Sequence, residues 1–133
     1  MNNTVEEIEK YIDWLAKNAK SPNLTEISSV LSKMSTQCYY FSKLVSDAYE
    51  LQAEAEDIYK ELKAQFIKNS SEGVTKAQAI VEADDSVKEA RRAYTKANAI
   101  YVGLKNHSHQ FETIMDCVRQ RISVEKSLNT KGI

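Results

Sequence analysis

A few groups of residues carry side chains that can do chemistry. His107 and His109 flank Ser108, with Cys117 further along. A zinc site needs additional ligands at suitable spacing, and none is evident around these three. On a helix the two histidines point about 200° apart, so they read as surface or interface side chains, and no metal is expected. Asp84 and Asp85 are adjacent carboxylates that diverge in the same way and read as a solvated face. The chain holds no glycine-rich phosphate loop, nucleophile elbow or His-Asp-Ser set. Three glycines in 133 residues leave little material for a catalytic pocket. The expectation is a protein that is not an enzyme and carries no cofactor.

Cations are the more informative group. Arg119, Arg121 and Lys126 sit near the C-terminus, interleaved with Ile122, Val124 and Leu128. A basic amphipathic end of this kind suits an interface, a nucleic-acid contact or both. Arg91, Arg92 and Lys96 form a second candidate cluster for phosphate. The competing reading pairs Arg119 and Arg121 with Glu6, Glu7 or Glu9. Tyr39, Tyr40 and Tyr49 can meet a partner subunit, a neighbouring helix or nucleobases, which stack on aromatic rings.

The net charge of −1 hides an asymmetry. Residues 1–85 hold 9 basic and 15 acidic side chains, whereas residues 86–133 hold 9 basic and 4 acidic ones. Such a division marks either a nucleic-acid face or the pairing of helices or subunits. No run of apolar residues approaches the ~20 needed to span a membrane, and the N-terminus lacks the pattern of a signal peptide. Cys38 and Cys117 fall within the apolar pattern and are expected to be buried and reduced, which fits a cytoplasmic protein.

The elements that position these residues are helical. An apolar seam runs Leu24, Ile27, Leu31, Met34, Cys38, Phe41, Val45, Ala48, Gln52, Ala55, Tyr59, Leu62, Phe66, with Gln52 its one polar member. A second runs from Ile80 through Val87, Tyr94, Tyr101, Phe111 and Met115 to Ile122. Spacings alternating between three and four are those of coiled-coil helices. The predicted fold is all-α, a single helical domain over 1–133. A short N-terminal helix (4–20) precedes a long antiparallel coiled-coil hairpin of helices 24–68 and 76–128.

Thr4 with Glu7, Asn23 with Glu26, and Thr75 with Gln78 have the spacing of helix caps. The hairpin is expected to turn within residues 67–75. That register sets Ala48 against Tyr94, Cys38 against Leu104 and Leu31 against Phe111. Val30, Leu44, Leu51 and Ile58 widen the apolar stripe beyond what one partner helix covers, which predicts a homo-oligomer.

Residues Ile114–Lys126 (Ile-Met-Asp-Cys-Val-Arg-Gln-Arg-Ile-Ser-Val-Glu-Lys), with Ala83-Asp-Asp-Ser-Val87 before them, resemble the UvsY-type phage recombination mediators. The resemblance implies a small helical protein in the host cell cytoplasm. Such a protein forms rings, binds single-stranded DNA and loads a RecA-like recombinase onto strands coated by single-strand-binding protein. The family's basic, aromatic DNA motif late in the central helix corresponds here to Leu51–Tyr59, which is acidic and keeps only the tyrosine. Any DNA contact is therefore expected from the basic C-terminal half. The alternative is a helical adaptor or inhibitor, for example against host defence, that binds a host protein through its acidic face.

Overall fold

A computed structural model describes residues 2–70 and 73–131. The order of elements is α1 (Asn2–Lys17), α2 (Leu24–Asn69), α3 (Val74–Val81) and α4 (Asp85–Lys131). Among the described residues there is no strand, and α2 and α4 pack against each other as a helical hairpin. No described helix is long and apolar enough to cross a membrane.

Local chemistry accounts for the boundaries. Asn18 ends α1: its amide N–H and its side-chain Nδ2 both donate to the Trp14 carbonyl, at 3.0 and 2.8 Å. Asn23 caps α2 reciprocally with Glu26. The Glu26 N–H donates to Asn23 Oδ1 at 3.1 Å, and Asn23 Nδ2 donates to Glu26 Oε2 at 3.3 Å. The other two expected caps are corrected: Thr4 lies inside α1, and Thr75 lies inside α3, whose cap position is Gly73 without a side-chain bond.

The larger correction concerns the third helix. Residues 76–128 do not form one helix, because the chain breaks at Glu82-Ala83-Asp84. Asp84 starts α4, its Oδ1 accepting from the Val87 N–H at 3.2 Å and its carbonyl from the Lys88 N–H at 2.9 Å. Asp85 then lies in the first turn, where the helix dipole favours an anion. Beyond that break α4 is continuous through Gly103 and residues 106–108.

The chain forms two compact units. The first holds α1, α2 up to Leu44 and α4 from Lys105. Its core is built from Ile8 and Leu15 of α1, Ile27, Leu31, Met34 and Phe41 of α2, and Phe111, Met115 and Ile122 of α4. Phe41 meets Phe111 edge to face at 5.2 Å between ring centroids. The second unit is Val45–Leu104, and its core is made of smaller side chains: Ala48, Ala77, Val81, Val87 and Ala90, with Gln52. Gln52 spends an Nε2 proton on Glu56 Oε2 at 3.0 Å.

Both units overturn the expected register. Phe111 packs on Phe41, not Leu31, and Tyr94 stacks on Tyr59, not against Ala48. The displacement is about ten residues, close to three helical turns. Its cause is α3. The connection between the long helices runs from Ser70 to Asp84 rather than 67–75, so pairing starts at Asp85 instead of Lys76.

That junction is held by Glu82. Its carboxylate accepts from Lys63 Nζ at 2.9 Å, Tyr59 Oη at 3.2 Å and Arg91 Nη1 at 3.1 Å. The hydrogen bond from Lys63 is the main reason its carboxyl titrates below the usual 4.5. A depressed carboxylate contributes stability that is present above its unfolded value and lost as pH falls through the folded one. Acid titration should therefore loosen the junction only below about pH 4.5. A Glu82→Gln variant should lack that component of the helicity profile, and an unchanged profile would remove the junction from the account.

Candidate nucleic-acid interface

The predicted cations are not equivalent. Arg121 is a clamp: its Nη2 donates to the Ser21 carbonyl at 2.9 Å and its Nε to Glu125 Oε1 at 2.9 Å. The first bond ties α4 to the loop between α1 and α2, and the second stays within α4. Arg119 is half-exposed, donating to Asp116 Oδ1 at 2.9 Å and to Ser35 Oγ of α2 at 3.4 Å. Within the chain, therefore, these arginines bond to Asp116 and Glu125 of their own helix rather than to the α1 glutamates. Lys126 is exposed. In the second unit, Arg91 is engaged by Glu82, while Arg92 and Lys96 are exposed on α4.

Around Arg119 the structure brings together a surface built on α2. From residue 27 to residue 46, α2 carries no Asp or Glu, but holds Lys33, Lys43, seven hydroxyl residues of the Ser/Thr type and two tyrosines. A turn beyond Ser35 lies Tyr39, 61% exposed, beside Tyr40, 49% exposed. The rings meet edge to face at 5.8 Å, and Lys43 Nζ sits 5.0 Å from the Tyr39 centroid and 5.8 Å from that of Tyr40. The first unit therefore presents, in order along α2, an arginine held at Ser35, two open aromatic rings and a lysine. Twenty residues of helix without a carboxylate were countable in the sequence; the exposure of both rings was not. Tyr49, the third off-seam tyrosine, meets Tyr101 edge to face at 5.3 Å in the second unit.

Other candidates have structural roles. His107 stacks on Phe111 at 6.1 Å. Among the described residues no group of three His, Cys, Asp or Glu stands where it could hold a metal ion. Cys38 is half-buried, and its thiol is pushed up mainly by burial, then by Glu112, against Arg119. Cys117 is exposed, contrary to expectation, because Met115, Val118 and Ile122 carry the seam and Cys117 lies on its flank towards α1. Asp84 proves to be a helix cap rather than a solvated carboxylate. Comparison of the chain with protein families, curated proteins and solved structures finds no match.

Proposed function

We propose that this chain is a non-enzymatic, self-associating protein that binds single-stranded DNA, in the manner of a recombination mediator. The observation that carries the reading is the carboxylate-free face of α2. It places Tyr39 and Tyr40, both open to solvent, between Lys43 and Arg119. Single strands are bound by stacking bases on aromatic rings beside cations that track the backbone. The resemblance of Ile114–Lys126 to the UvsY-type mediators adds loading of a RecA-like recombinase, in contact with single-strand-binding protein. In this reading Arg119 and Lys126 contact phosphate, whereas Arg121 organises the loop before α2.

The test is a salt titration. Each phosphate contact on a single strand adds about −0.7 to the log–log slope of affinity against salt. Replacing Lys43 and Arg119 together by alanine should flatten that slope by about 1.4 and weaken binding to all sequences alike. Wild-type protein that binds no single strand at low salt would end this reading. A helical adaptor for a host protein would then replace it, favoured by the exposed carboxylates Asp47, Glu50, Glu54, Asp57 and Glu61.

A further inference from the structure

The second unit leaves apolar side chains in water. Leu51 is 62% exposed, Ile58 55% and Ile100 51%. They are not scattered. Tyr49 against Tyr101 and Tyr59 against Tyr94 set the register, which puts Ile100 level with Leu51 and Ala93 level with Ile58. With 3.6 residues per turn, Leu51 and Ile58 lie on one side of α2, and Ile100 and Ala93 lie on the same side of α4. Glu82, Lys63 and Arg91, which hold the α3–α4 junction, gather on the opposite side.

Charge flanks this patch asymmetrically. The outer edge of α2 bears Asp47, Glu50, Glu54, Asp57 and Glu61, all exposed and spaced alternately by three and four. The outer edge of α4 bears Arg92 and Lys96, with Glu89 the single carboxylate between Ser86 and Leu104. We infer that two copies of the chain pair through this face about a two-fold axis parallel to the helices, α2 of each lying on α4 of the other.

Charge selects that axis. Setting α2 on α2 would bring one acidic row against another, and like charges across an interface are disfavoured. Setting α2 on α4 of the second copy brings Lys96 opposite Asp57 and Arg92 opposite Glu61, twice over, around Leu51, Ile58 and Ile100. The face is about 25 Å long and two helices wide. It would bury on the order of 1,000 Å² in total, the lower bound for a specific interface, so the dimer forms at micromolar rather than nanomolar concentration. The inference rests on the chain being self-associating but not on its binding DNA.

The test uses charge reversal on the full chain. One variant carries Asp57→Lys and Glu61→Lys, the other Arg92→Glu and Lys96→Glu. Sedimentation should give a dimer for wild type at about 100 μM, and each variant alone should self-associate at least about tenfold more weakly at low salt. Their equimolar mixture should recover the dimer, because every pair is then opposite in sign. Circular dichroism should show the same helicity throughout. Leu51→Gln with Ile58→Gln, which alters no charge, should also abolish the dimer. A wild type that stays monomeric at that concentration overturns the inference. So does a wild type that associates while the charge variants do so equally well, or while their mixture fails to recover association. Failure to bind DNA alters none of these outcomes.

Discussion

A chain carrying Tyr39→Ala and Tyr40→Ala together should bind single-stranded DNA about 30-fold more weakly or worse than wild type, with an unchanged salt slope. Stacking of a base on an aromatic ring is worth about 1–3 kcal/mol by alanine substitution, and two rings are removed. The slope should stay because stacking releases no counterion, whereas the phosphate contacts proposed for Lys43 and Arg119 would still do so. Tyr39 is 61% exposed and Tyr40 49%, and neither belongs to the buried core, so their loss should open no cavity and the helix should keep its stability. Tyr→Phe at the same two positions should retain most of the affinity, since the π-face and not the hydroxyl is used. Tyr49→Ala serves as the control, because Tyr49 belongs to the other unit and packs on Tyr101. Equal affinity of the Tyr39/Tyr40 variant and wild type would show that no base stacks there.

Phe41→Ala should destabilise the first unit by about 3–5 kcal/mol, the usual cost of truncating a buried phenylalanine. Phe41 is among the largest fully buried side chains, and its ring is the one on which Phe111 packs. Deleting it removes the transfer term and leaves a void beside Phe111. The immediate neighbours Tyr40 and Ser42 point to solvent and offer no substitute. Urea unfolding followed by helicity measures the loss. The two units make a single two-state transition unsafe to assume, so the early and late parts of the curve should be fitted separately. A cost below about 1 kcal/mol would mean that Phe41 is not in a packed core.

The fold class was legible because alternation of three and four over long stretches has one physical solution, a helix with a buried stripe. The Asn23–Glu26 cap was legible too, since both residues sit at the spacing their hydrogen bonds require. The register was not. A periodic seam matches another periodic seam at every offset near a whole number of turns, and an offset of eleven residues preserves the phase almost perfectly. What selects among offsets is the connection, and the sequence around 82–84 gives a weak signal: Asp84 caps α4 without a glutamate or glutamine three residues later. The proposed interface was half legible. The basic residues after position 85 are plain from counting, but counting cannot tell that Arg121 is spent on the Ser21 carbonyl and Arg91 on Glu82. The stronger indication was an absence, the missing carboxylates between Glu26 and Asp47, and an absence draws less notice than a cluster.

The unequal cores of the two units have a consequence for time scales. The hydrogen bonds of α2 and α4 persist only while side-chain packing keeps water from competing for them. Along Ile27–Phe41 and Phe111–Ile122 that packing comes from large aliphatic and aromatic groups on three helices. Along Val45–Leu104 it comes largely from alanine and valine, with a glutamine in the middle. A single unbroken helix should thus open slowly at one end and fast at the other, which amide hydrogen exchange would read. The fast end is where an encounter with a second molecule has the most to gain, because every contact made there slows a fluctuation that the chain alone leaves free.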